Sequence, residues 1–367
     1  MSGDISMTTT MCRPIDKDKK KGVHFKMQDV RESLKRALVE QEWIFGDRVA
    51  RLGSPFEWTE NMHKANILDL ENMYAVAFYF SMFYVQKDTP QEMMVPDYEE
   101  VKQCCEKEMA KAFLHFFPFL AKSKTWAHNV RSQALTRTQD YSFIKRHCTS
   151  LPEHPNHVDI GPGLGSSALY SLRFLNASFY ALEASPMSYG VQRHYFRFLS
   201  PEPGAYFDLI ECENFQFPVE RIKAELDNNR YAIKHVPSWR FPLLKAGSMD
   251  LLTACYVLNE LNYAGLLWLL AEGSRVLRRG GYFYIRDSAI LKPGMHTVDY
   301  DETLKKMGFI EVARLKLQNR YDFYGIPRVF VKNTEATHSF DTLVEMCLGR
   351  FAAVAGGGDR AYNLDTA

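Results

Sequence analysis

The sequence is short of the features that mark several classes of protein. No apolar run approaches the roughly 20 residues needed to cross a bilayer. The run near the N-terminus, Met73 to Phe80, reaches only Val85 even with Ser81 counted in. Seven cysteines (Cys12, Cys104, Cys105, Cys148, Cys212, Cys255 and Cys347) include no Cys-x-x-Cys pair, so the spacing of a zinc or redox centre is missing. Net charge is nearly absent: 45 basic against 44 acidic residues leaves +1, too little to hold nucleic acid or an anionic membrane. Lys17, Lys19, Lys20 and Lys21 are followed by no apolar stretch and do not read as a secretory signal. A reduced, cytoplasmic setting is expected.

What is present is an ordinary globular composition, 46% hydrophobic and 24% charged over 367 residues. At roughly 150 residues per domain that is room for about two domains. Residues 1–26 are polar and Thr-rich and are expected to be a disordered tail. Over 27–150 apolar residues such as Val30, Leu34, Leu38 and Ile44 recur at helical spacing, predicting an all-helical cap or substrate domain. Its face is also where a homo-oligomer would form. The aromatics Phe78, Tyr79, Phe80, Phe83 and Tyr84 suit packing or an apolar pocket, and Trp126, His128, Tyr141 and Phe143 suit packing or a lid over a site.

Past Leu151 the pattern changes. Short β-like runs at 157–160, 178–182, 231–235, 250–257, 282–285, 309–317 and 328–331 alternate with helical stretches at 167–174, 189–199, 263–277 and 300–307. Such alternation predicts an α/β fold, a doubly wound sheet with helices on both faces. Residues 200–230 are too long for a simple connection and predict an insertion at the sheet edge. Residues 333–367 form a C-terminal extension.

The most informative stretch is Val158-Asp159-Ile160-Gly161-Pro162-Gly163-Leu164-Gly165-Ser166. An apolar strand runs into a loop with glycine at every second position, where the backbone can turn tightly and approach a ligand. In the dinucleotide fingerprint the sixth position is Gly or Ala; here it is Ser166. Asp159 at the strand end suits a ligand bearing an ammonium group and would repel a pyrophosphate. S-adenosylmethionine carries an ammonium and NAD a pyrophosphate, so the methyl donor is favoured. Glu183 follows Gly161 by 22 residues, at the end of the next strand, where a carboxylate can accept both ribose hydroxyls.

With Met249-Asp250-Leu251-Leu252-Thr253-Ala254-Cys255-Tyr256-Val257-Leu258-Asn259-Glu260-Leu261 and Leu277-Arg278-Arg279-Gly280-Gly281-Tyr282-Phe283-Tyr284-Ile285-Arg286-Asp287, these elements resemble, in order, the class I S-adenosylmethionine-dependent methyltransferases. The resemblance covers about residues 150–332 and implies a Rossmann-like methyltransferase sheet with an S-adenosyl-L-methionine site. It implies cofactor contacts from Asp159, Gly161, Gly163, Gly165, Glu183 and Cys255. The adenine position falls near Ser238, with Trp239 beside it, where many of these enzymes carry an Asp. Ser185-Pro186, the stretch Gln192 to Leu199, Val236-Pro237-Ser238-Trp239 and Asn259-Glu260 also resemble sugar O-methyltransferases of antibiotic pathways.

In a doubly wound sheet the reacting groups lie beyond the carboxyl ends of the strands. That places Glu260, Asp287 and His296 as candidate catalytic residues, the carboxylates to orient an acceptor hydroxyl or share a divalent cation, and the imidazole to take a proton. His128, His194 and His235 are weaker candidates. No metal spacing is present. The function expected is methyl transfer to a small molecule of secondary metabolism, at oxygen of a sugar or other polyhydroxyl acceptor. A nicotinamide-dependent oxidoreductase and a catalytically inert binding subunit are the alternatives.

Overall fold

The computed structural model describes residues 94–116, 124–184, 186–200, 204–210, 218–258, 263–287, 300–315 and 325–340, with a few single positions besides. The expectations for residues 1–90, the aromatic run at 78–84 among them, lie outside the described residues. So do Asn259, Glu260 and His296.

Two helices lead in, α1 (Tyr98–Phe116) and α2 (Lys124–His147). They run antiparallel, with Asp97 pairing Lys145 at 2.7 Å and Glu106 pairing Arg131 at 2.9 Å. Then β1 (Asn156–Ile160), α3 (Ser167–Arg173), β2 (Ser178–Glu183) and α4 (Pro186–Leu199) alternate. An edge strand β3 (Tyr206–Asp208) and the helix α5 (Val219–Leu226) occupy the predicted insertion. The chain continues through β4 (Ile233–Pro237), a 3-10 turn (Ser238–Leu243), β5 (Met249–Cys255), α6 (Tyr263–Val276), β6 (Leu277–Asp287), α7 (Tyr300–Lys306), β7 (Phe309–Arg314) and β8 (Ile326–Lys332).

Among the described residues the sheet has eight strands in the order β3-β4-β2-β1-β5-β6-β8-β7. All pairs are parallel except β6 with β8 and β8 with β7. This is the doubly wound α/β fold that the alternation predicts. β5 is buried at every residue, as a central parallel strand covered on both faces must be. The edge strand β7 instead alternates: Phe309 faces in, while Ile310 and Val312 are exposed.

Alternation along β1 separates the two layers. Val158 and Ile160 join an apolar core with Leu252, Ala254, Leu266, Leu270 and Phe283. His157 and Asp159 point to the opposite face, towards α2 and α3, where polar and apolar side chains mix. On that face one apolar cluster joins Val101 and Met109 of α1 and Val130 and Tyr141 of α2 to Phe179 and Ala181 of β2. The helical segment and the sheet thus share a core across residue 150. Trp126, Tyr141 and Phe143 are core residues of these layers; His128 is exposed.

The strand order reverses at β1, whose neighbours are β2 on one side and β5 on the other. A ligand crevice is expected beyond the strand ends at such a point. The two loops that leave it touch: a Cβ on Gly161 would lie 2.8 Å from Val257 Cγ2.

Candidate functional site

The glycine loop leaves β1 with Gly161, Gly163 and Gly165 at φ of +62, +61 and +78°, backbone that other residues rarely adopt. Space constrains two of them as well. A Cβ on Gly165 would come within 2.5 Å of Phe196 Cε1 on α4, as one on Gly161 would meet Val257. Gly163 differs, for among the described residues no atom lies within 4 Å of where its Cβ would stand. Its open side is the cradle into which a ligand can come close to backbone. Ser166, which takes the place of the fingerprint's small residue, accepts a hydrogen bond from Arg137 Nε of α2 at 3.1 Å. The lead-in helix therefore holds the loop directly.

Glu183 stands at the end of β2, where the sequence places it, with Pro237 of β4 as its register partner. Its carboxylate is buried and held twice. Ala184 N–H donates to Oε1 at 2.9 Å, and Gln192 Nε2 donates to Oε2 at 2.7 Å. The same Gln192 nitrogen donates to the Gly163 carbonyl at 2.7 Å. Glycine loop and strand-end carboxylate are thus parts of one hydrogen-bonded cradle. Directly after Pro237 come half-buried Ser238 and buried Trp239. Among the described residues the buried Trp239 indole N–H meets no partner, an uncommon state for a donor.

Two of the expected cofactor contacts, Asp159 and Cys255, are buried. Asp159 does not stand open at the strand end. It is 2% exposed, accepts from Thr253 Oγ1 at 2.6 Å and is hydrogen-bonded by Ser167 Oγ. Burial pushes its pKa up, against Arg137 and these two hydroxyls, which pull it down. Cys255 likewise faces α2, its sulfur 3.9 Å from Asp140 Oδ2, and burial raises its thiol pKa. Both side chains line a cavity of about 30 Å³ with Arg137, Asp140, His157 and Tyr284, room for a water or two rather than a nucleoside. Side-chain alternation puts both in the layer under α2: they share the parity of His157 and Thr253, not that of the core-facing Val158 and Leu252.

Asp287, the described member of the candidate catalytic set, is fully buried at the end of β6. Its Oδ2 accepts from Leu258 N–H at 3.0 Å, which anchors the loop leading to Glu260. Next to it the Arg286 guanidinium lies 4.6 Å from the Tyr256 ring centroid. Tyr256 has a φ of +59°, a strained conformation for a tyrosine, of the kind that gathers at functional sites.

Sequence reasoning missed the residues that hold this arrangement from behind. Asp140 of α2 accepts from Arg286 Nε at 2.5 Å and from Arg286 Nη2 at 3.0 Å, and also from the Tyr284 hydroxyl at 2.5 Å. Arg137 Nη1 reaches it at 3.3 Å. At the other side Arg193 pairs with Asp208 at 2.6 Å, both buried. Arg137, Asp140 and Arg193 sit in helices among other charged residues, and nothing in their spacing announces burial. Gln192 and Arg193 fall within the Gln192–Leu199 stretch noted for its likeness, a signal that marked the helix without assigning roles.

No protein-family model matches the chain. Nor does any curated protein match it in sequence. Among solved structures, a Galdieria sulphuraria protein assigned as a sarcosine dimethylglycine methyltransferase is similar at 13% identity and TM-score 0.37, over 56% of this chain and 88% of that one. Phosphoethanolamine N-methyltransferase 1 of Haemonchus contortus is similar at 14% identity and TM-score 0.36, over 73% of this chain and 57% of that one. A SAM-dependent methyltransferase from Aquifex aeolicus matches at 14% and TM-score 0.35, over 53% and 89% respectively. At such distances the geometry of this chain's own site is what bears on function.

Proposed function

We propose that the chain is an S-adenosylmethionine-dependent methyltransferase acting on a small molecule. The observation that carries this reading is the joined cradle: a three-glycine loop with its open side at Gly163, bonded through Gln192 to the carboxylate of Glu183. The residues present fit the cofactor. Glu183 would accept the ribose hydroxyls, Gly163 would let backbone close on the ligand, and the unpartnered Trp239 N–H and neighbouring Ser238 would face the adenine. When bound, S-adenosylmethionine supplies a methyl group already activated on a sulfonium, so the protein's task is chiefly to position the acceptor.

Asp287 serves this site by holding the loop after β5 through Leu258, and Glu260 and His296 remain the candidates for orienting the acceptor and taking its proton. No group of three or more His, Cys, Asp or Glu side chains able to hold a metal occurs among the described residues. The acceptor proposed is a sugar or other polyhydroxyl molecule methylated at oxygen. The near-zero net charge supports a small molecule over a nucleic acid, and the likeness of the Gln192–Leu199 and Asn259-Glu260 segments supports the hydroxyl acceptor.

Calorimetric titration of the full chain tests the reading. S-adenosylmethionine is expected to bind and NADH not to; the reverse result would overturn it. Glu183→Ala should weaken binding of S-adenosylmethionine by about 1.5–3 kcal/mol, the contribution of charge-assisted hydrogen bonds. An unchanged affinity would remove Glu183 from the site.

A further inference from the structure

Gln192 lies 0% exposed between three groups, the Glu183 carboxylate, the Gly163 carbonyl and His235. An amide has two unlike ends, one donating and one accepting. Only the donating end can hold Glu183 and the Gly163 carbonyl; the other would set oxygen against oxygen. His235 meets the accepting end. It is buried on β4, and its Nε2 lies 2.9 Å from Gln192 Oε1. Burial pushes its pKa down to about 3, so the ring is neutral and carries one proton. Its other nitrogen, Nδ1, lies 3.0 Å from the Tyr206 hydroxyl. With the Gln192 amide nitrogen donating to Glu183 and to the Gly163 carbonyl, its oxygen faces His235 Nε2, and the proton between them belongs to the imidazole.

The ring itself has little freedom. It stacks on Tyr189 with centroids 3.5 Å apart at 11°, and Phe196 meets it edge-on at 5.0 Å. Tyr189 and Tyr206 donate to Asp208 at 2.8 and 3.0 Å, and Asp208 is paired with Arg193. Polar contacts thus run from the ion pair at the sheet edge through Tyr206, His235 and Gln192 to Glu183.

We propose that Gln192 is a positioning residue for the donor's ribose: held between His235 and the glycine loop, it fixes the Glu183 carboxylate in the geometry that the two ribose hydroxyls require. The proposal rests on the cofactor reading above. A glutamate left free at a strand end would have to lose its rotational freedom on binding; here that loss precedes the ligand. Gln192 then matters to affinity only through Glu183, which separates its role from simple support of α4.

The test is a double-mutant cycle read by calorimetry with S-adenosylhomocysteine, on full-length wild type, Q192L, E183A and the double variant, with thermal melts beside it. Q192L is expected to bind about tenfold more weakly or worse, the worth of a hydrogen bond to a charged group. In the E183A background the same change should cost less than about twofold, since no carboxylate remains to be held. Equal losses in both backgrounds would overturn the proposal, as would an unchanged affinity in Q192L. If Q192L fails to fold, Q192E decides: it keeps an acceptor for His235 but sets a second carboxylate against Glu183. Its affinity should fall by about tenfold or more, and wild-type affinity would overturn the proposal. Failure of the wild type to bind would instead strike at the cofactor reading itself.

Discussion

Replacing Asp140 with alanine is expected to lower the free energy of unfolding by about 3–5 kcal/mol, the usual cost of removing one partner of a buried ion pair. Asp140, Arg286 and Arg137 are 6, 5 and 7% exposed, so the guanidiniums left behind would find no water in exchange. Burial works to depress the Arg286 pKa, and the Asp140 carboxylate overrides it and holds the group above its ordinary range. The loss would spread, because Asp140 also takes the Tyr284 hydroxyl and ties α2 to β6. Paired urea titrations of D140A, R286M and the combined D140L/R286M chain would check this. The combined variant should be less destabilised than D140A, since it removes the Arg286 charge together with its carboxylate and leaves Arg137 alone to lose Asp140. If D140A instead unfolds within about 1 kcal/mol of wild type, the network contributes nothing to stability.

The second large effect is acid destabilisation that begins well above the carboxylate range. Burial pushes His157 and His235 down to about 3 and His194 to about 4. Unfolded, each would titrate near 6.5. The unfolded chain therefore binds more protons than the folded one between those values, so stability is full above about pH 6.5 and falls as the pH drops. Each fully buried histidine contributes roughly 2 kcal/mol of that loss between pH 6.5 and 5. Asp208, whose burial is outweighed by Arg193 and His235 so that its pKa falls to about 2, adds a loss at lower pH, below the usual aspartate value. Asp159 acts in the opposite sense, because its raised pKa lets the folded chain take up a proton first. Melting temperatures between pH 5 and 8 should fall steadily on the acid side, and H157Q should flatten the slope. A flat profile would mean that these rings titrate freely when folded.

His157 also shows why the fold was easier to read than the site. The strand–helix alternation, the glycine loop and Glu183 are local patterns, and each lands where the periodicity and spacing place it. The strand expected at 231–235 begins at Ile233 and ends at Pro237, and the one expected at 250–257 stops at Cys255, where Tyr256 takes a positive φ. Such ends are set by tertiary contacts rather than composition. Asp159 and Cys255 were expected in the crevice because they sit near strand ends in the chain, but the pleat sends both into the layer under α2. The partnership of His157 with Ser171 at 2.5 Å and Thr253 at 2.8 Å joins residues 14 and 96 positions apart, which no short pattern shows. The short strand β3 was missed for the same reason: three residues carry no period, yet its Asp208 anchors Arg193.

The bond from Arg137 to Ser166 has a consequence for how the molecule breathes. A glycine-rich loop would ordinarily open to solvent by itself, at little cost. Here it cannot part from its neighbours without shifting a 24-residue helix that is embedded in the core. Backbone amides of residues 163–166 should therefore exchange with deuterium on the schedule of that helix, slowly and as one block, before any nucleoside arrives.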